Sequence, residues 1–197
     1  MFDKNYFFEK IKYGFDRNYS FLTPLLHFIQ NNNIAKRNDS LELVLAECLP
    51  QNIMIHKRLK IIDSFLKKRN VRYLLFNIAI EEGYTEIIDI LLKNKKFNPQ
   101  KTNFRDFIVA VDKGYVDIVK ILLNKFDPTI DDGWALRLAV INKNKDMAQL
   151  LLEDKRIDPT IWNNAVFRYA AENDLKDIVG LFVSDGRLIL DIWFLEF

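Results

Sequence analysis

The chain has 197 residues, 49% of them apolar, which suffices for one sizeable core or a short array of stacked units and excludes disorder over most of the length. Its 29 basic and 27 acidic residues leave a formal charge of +2, so the overall charge makes no case for nucleic acid or a membrane surface. Cys48 is the sole cysteine, which excludes an intramolecular disulfide and a multi-cysteine metal site, and no segment has the apolar run of a signal peptide or membrane span.

Six glycines and 5 prolines are too few for a turn-rich chain, so helix is expected. The opening stretch, MFDKNYFFEKIKYGF, interleaves charges with aromatics, and TPLLHFIQNNN follows. DSLELVLAECL is predicted to be the first helix of a pair, begun by Asp39 or Ser40 as N-cap. PQNIMIHK reads as an inserted loop with His56 exposed in it. HKRLKIIDSFLKKRN reads as the second helix, because Ile61, Ile62, Phe65 and Leu66 match Ile87, Ile88, Leu91 and Leu92 at an offset of 26. Residues 1–70 otherwise fit no period and are expected to be degenerate helical repeats or a helical cap.

From residue 71 a repeat emerges. Ala79, Ala110, Ala139 and Ala170 are separated by 31, 29 and 31 residues, and each precedes an apolar triplet that ends 13 residues later, such as Ile121-Leu122-Leu123. Pro99, Pro128 and Pro159 each stand 11 residues before the next alanine. Two short helices per unit account for this spacing: Phe107, Val109 and Val111 surround one alanine, and Ile118, Val119, Ile121, Leu122 and Leu123 make a broad apolar stripe. Helices this short bury both stripes only by stacking on neighbours. The alanine permits close approach, and Gly83 and Gly114, four residues later, end the first helix in the left-handed conformation. Asparagines in INKNK and AENDL are expected to take that role in the last two units. In the Asp-Pro-Thr stretches at Asp127 and Asp158, proline fixes φ while aspartate and threonine bond the local backbone.

With AIEEGYTEIIDILL and AVDKGYVDIVKILL, an alanine-to-glycine turn before a second helix, the chain resembles ankyrin repeats over about residues 71–190. The units are about 71–97, 98–126, 127–157 and 158–187. None carries the Thr-Pro-Leu-His helix start, which TPLLHFIQNNN matches only with an extra leucine, and the proline-to-alanine connection is short, implying stubby finger turns. In these respects it is similar to divergent arrays of giant viruses, protists and bacteria. The resemblance implies an all-α, ankyrin-type helical repeat solenoid with short finger turns and a non-catalytic role in protein–protein interaction, as adaptor or competitor. Residues 188–197 are expected to form an aromatic C-terminal cap, with Trp193, Phe194 and Phe197 over the last helix pair.

Catalytic chemistry finds little support. His27 and His56 lack a nucleophile or carboxylate at motif spacing, and His27 is expected to pack beside Leu26 and Phe28. No phosphate loop or nucleophile elbow is present, and neither a metal nor a cofactor is expected. Lys57, Arg58, Lys60, Lys67, Lys68, Arg69 and Arg72, relieved by Asp63, form the strongest charge feature. They read as one solvated helix face, and as a nucleic-acid or other anionic-partner segment in the alternative.

A protein partner of unknown identity is expected on the finger turns and the exposed side of the first helices. Trp162 stands in a finger turn beside Ile161, Asn163 and Asn164, where Asp131 is its counterpart. Trp134 stands at a helix start, where Arg105 and Ala165 correspond, and Arg137 and Arg168 are equivalent to each other. These are the candidate partner-binding residues, with tryptophan packing against the neighbouring finger as the competing reading. A monomer in the cytoplasm or nucleus, host cytoplasm if the source is viral, neither secreted nor membrane-bound, completes the expectation.

Overall fold

The computed structural model describes residues 2–13, 22–38, 40–67, 71–99 and 104–188. Among them are twelve α-helices and no strand: α1 (Lys4–Tyr13), α2 (Leu22–Asn31), α3 (Leu41–Glu47), α4 (Ile55–Leu66), α5 (Val71–Glu82), α6 (Thr85–Lys93), α7 (Arg105–Asp112), α8 (Val116–Leu122), α9 (Ile130–Ile141), α10 (Lys145–Glu153), α11 (Ile161–Glu172) and α12 (Lys176–Asp185). The architecture is an all-α repeat solenoid, with contacts dividing the chain into compact units over 1–102 and 103–197. The expected aromatic cap, with Trp193, Phe194 and Phe197, lies outside the described residues.

One backbone device sets the repeat. Ala79, Ala110, Ala139 and Ala170 are fully buried. Each alanine carbonyl accepts a hydrogen bond from the amide five residues on: Tyr84 to Ala79 at 2.8 Å, Tyr115 to Ala110 at 3.0 Å, Asn144 to Ala139 at 2.9 Å and Leu175 to Ala170 at 2.9 Å. The amide one residue earlier bonds three residues back, as Gly83 does to Ile80 at 3.2 Å and Lys143 to Val140 at 2.9 Å. This is the Schellman closure, and it requires the earlier of the two donors to be left-handed. Gly83 (φ +76°) and Gly114 (φ +73°) fill that place as expected. In the last two units it falls to Lys143 (φ +54°) and Asp174 (φ +55°) rather than to asparagine. The closure counts residues from the alanine, and that count selects Lys143 and Asp174 whatever their propensity. Asn142 instead keeps a negative φ and sends its side-chain amide to Asp112, 3.1 Å from the backbone oxygen.

The same closure exposes a repeat that the alanine pattern misses. Ile34 donates to the Ile29 carbonyl at 3.0 Å across Asn33, which has φ +52°. α2 is therefore a first helix, with buried Ile29 in the alanine position. It packs on α5, while α3, capped by the Ser40 hydroxyl accepting from Leu43 N–H at 3.2 Å, packs on α6. α3 and α4 pack together, as the sequence pairing expects, but α3 stacks on a second helix and not on a first, which corrects its assigned position in the array. α4 is an additional amphipathic helix that contacts α1, α3 and α5, and its buried Ile62, Phe65 and Leu66 show the spacing that any amphipathic helix would. His56 is exposed but sits in the first turn of α4, not in a loop.

In the second unit the pairs α7–α8, α9–α10 and α11–α12 stack first helix on first and second on second. A feature overlooked in the sequence ties their ends together. Asp154-Lys155-Arg156 and Asp185-Gly186-Arg187 recur one period apart. Arg156 donates to the Leu123 carbonyl at 2.8 Å and the Phe126 carbonyl at 3.3 Å while pairing with Asp154. Arg187 donates to Leu152 at 2.7 Å and Ile157 at 2.5 Å and pairs with Asp185. Each arginine thus satisfies carbonyls left open where the preceding second helix ends. Hydrogen bonds from their arginines hold the Asp154 and Asp185 carboxyls below their usual range.

Two outcomes follow for stability. Lys143→Gly relieves a left-handed side chain on an exposed residue and should raise the unfolding free energy by roughly 1 kcal/mol, whereas Gly114→Ala, whose Cβ would lie 2.8 Å from Asn144 Nδ2, should lower it in urea titrations. Because the folded-state pKa values of Asp154 and Asp185 are depressed, their contribution is present above the unfolded carboxylate value of about 3.9 and is lost as pH falls below it. Arg156→Met and Arg187→Met should flatten that acid limb; an unchanged acid limb would contradict the latch.

Candidate partner-binding groove

Each Asp-Pro-Thr stretch builds the entry to a first helix. The Thr129 amide donates to Asp127 Oδ1 at 3.0 Å and its hydroxyl at 2.7 Å; Thr160 repeats both bonds to Asp158 at 2.8 and 2.7 Å. These donors hold both aspartates below the ordinary carboxylate range. Pro128 and Pro159 are buried. A turn of three consecutive left-handed residues then leads into each right-handed helix: Asp131, Asp132 and Gly133 in one unit, Trp162, Asn163 and Asn164 in the next. Glycine, asparagine and aspartate suit this conformation, but an aromatic residue is an outlier there, at a cost of about 1–2 kcal/mol. Trp162 has φ +56° and is 62% exposed.

The first helices α9 and α11 enclose a cavity of about 330 Å³, lined rung by rung. The lining takes equivalent positions from both repeats, Asp131 with Trp162, Trp134 with Ala165, Arg137 with Arg168 and Ile141 with Glu172, and adds Asp132, Ile161, Val166 and Tyr169. On α9, Trp134, Arg137 and Ile141 follow the spacing of one helix face. The Arg137 guanidinium lies over both indoles, 5.3 Å from the Trp134 ring centroid and 5.9 Å from that of Trp162. Such contacts contribute about 0.5–1 kcal/mol at exposed sites.

Of the sequence candidates, the structure brings together Asp131, Trp134, Arg137, Ile161, Trp162 and Arg168. Asn163 and Asn164 shape the turn without lining the cavity, and Arg105 stands exposed at the start of α7 outside it. Tyr169, Ile141 and Glu172 were missed, although helical spacing from Trp134 and Ala165 leads to them.

The basic segment does not form one solvated face. Arg58 is only 9% exposed and donates to the Ala46 carbonyl at 3.1 Å near the end of α3. Arg72 donates to the Leu66 carbonyl at 2.6 Å, and Lys67 pairs with Asp63 at 2.6 Å. Lys57 and Lys60 are exposed, while Lys68 and Arg69 lie outside the described residues. Helix ends need their carbonyls satisfied, and two of the arginines serve that purpose.

Nor is His27 packed in the core. It is exposed on α2, with Nδ1 hydrogen-bonded to the Tyr84 hydroxyl and Nε2 3.7 Å from Glu82. Cys48 is buried, and burial pushes its thiol up to about 12, unsuited to a nucleophile. Among the described residues no group of three or more histidine, cysteine, aspartate or glutamate side chains is placed to hold a metal, and no helix is long and apolar enough to cross a membrane.

Stacked helix pairs that present a groove between first helices define a repeat-built interaction scaffold. The family model for ankyrin repeats (3 copies) matches residues 76–163 and 107–190, together more than half of the chain. The chain belongs to the ankyrin repeat family, whose members are generally protein–protein interaction modules and typically non-catalytic. Comparison with curated proteins and with solved structures returned no match.

Retention on heparin at low salt should be weak and unaffected by Lys57→Ala with Lys60→Ala, since these exposed cations, unlike Lys67, pair with no carboxylate among the described residues. Strong, salt-sensitive retention abolished by that pair would assign the segment to an anionic partner.

Proposed function

We propose that this protein is a monomeric, non-catalytic adaptor or competitor, acting in the cytoplasm or nucleus, that holds a protein partner in the groove between α9 and α11. One observation supports this above the others: Trp162 is kept in a left-handed backbone conformation with most of its surface exposed. Stacking does not require an indole there, since its counterpart Asp131 completes the same turn one repeat earlier. Strain retained on an exposed aromatic residue is characteristic of functional positions. Trp134, 36% exposed, lines the same cavity, and tryptophan and arginine are the residues that dominate interface energetics.

The competing account is that the tryptophans stabilise the array. Asparagine accepts the left-handed conformation, so relief of strain in Trp162→Asn offsets its lost partial burial. The variant should unfold within about 1 kcal/mol of the parent. Combined with Trp134→Ala, it should abolish recovery of partners in affinity capture read by mass spectrometry. A collapse of the melting temperature, or unchanged capture, would contradict the proposal.

A further inference from the structure

We infer that the occupant of this groove is an extended peptide carrying two acidic side chains three residues apart, crossing α9 and α11 rather than running along them. The inference rests on the groove being the docking surface and concerns the chemistry of what docks there. Arg137 and Arg168 occupy the same position in successive repeats, and both line the groove between its acidic ends. Neither has a hydrogen bond or ion pair with another described residue, and the indole contacts of Arg137 leave its N–H donors available.

The acidic residues of the groove stand at its ends: Asp131 and Asp132 at the finger end, and Glu172 at the far end of α11. A peptide lying along the helices would place its acids against one carboxylate group or the other. A peptide crossing them meets only the arginines. Like-charge contacts therefore disfavour the first orientation, and charge complementarity favours the second.

Spacing then selects the ligand sequence. Packed helices lie about 8–10 Å apart. A polyproline-II chain advances about 3.1 Å per residue with three residues per turn, so side chains three apart share one face and stand roughly 9 Å from each other. Two carboxylates in that register reach Arg137 and Arg168 together, each as a charge-assisted hydrogen bond.

The test uses the full chain and short fluorescein-labelled peptides containing Asp-Pro-Leu-Asp, with Lys-Pro-Leu-Lys and Asp-Leu-Asp as charge and spacing controls, read by fluorescence anisotropy. The first should bind at least tenfold tighter than either control, and its affinity should fall with salt. Arg137→Glu and Arg168→Glu should each weaken it by roughly tenfold or more. Arg168→Gln serves as a second variant if charge reversal lowers the melting temperature. Equal or better binding of the lysine peptide, or of a single-stranded oligonucleotide, would overturn the inference, as would no discrimination among the peptides. Those outcomes leave the docking surface itself to be judged by partner capture with the tryptophan variants.

Discussion

The structure depends on one backbone hydrogen bond repeated along the chain: an amide that reaches back five residues to the carbonyl of a buried small or apolar residue. The bond fixes where the first helix ends. The left-handed residue inside the closure reverses the chain, and the second helix starts at once, so the two apolar stripes face the same core. Because the geometry counts residues, it imposes the strict spacing from alanine to triplet. It also explains why lysine and aspartate tolerate a conformation better suited to glycine.

Once that closure sets the pairs, the remaining polar groups have defined tasks. Arg156 and Arg187 collect the open carbonyls at the second-helix ends, and the Asp-Pro-Thr stretches, with proline buried and aspartate bonded by threonine, launch the next first helix. The outward faces of α9 and α11 are thereby relieved of structural duty. There the chain places two tryptophans, a tyrosine and two arginines with no ion pair among the described residues. The strain carried by Trp162 belongs to this division of labour, since the turn itself is satisfied equally by aspartate.

Much of the fold was legible because its rules are local and periodic. Buried alanines, paired glycines and apolar triplets repeat within one chain and fix the register without any homologue. Where a position is defined by geometry rather than residue type, the sequence misleads. Ile29 closes a first helix without being alanine, Lys143 turns left-handed beside two asparagines, and α4 mimics a second helix because amphipathic spacing is common to all surface helices. In the groove, Trp134, Trp162, Arg137 and Arg168 stood out as residues too large or too charged for their repeat positions. Tyr169 and Glu172 look ordinary in sequence and become visible only when two helix faces are set side by side. Arg58 illustrates the converse, an apparent surface cation that folding buries against a helix end.

Native-state amide hydrogen exchange tests the closure most directly. The amides of Tyr84, Tyr115, Asn144 and Leu175 should exchange only in openings close to global unfolding, as slowly as the helix interiors that they terminate. Exchange of these amides at rates near those of exposed loops, while the helices stay protected, would contradict the account.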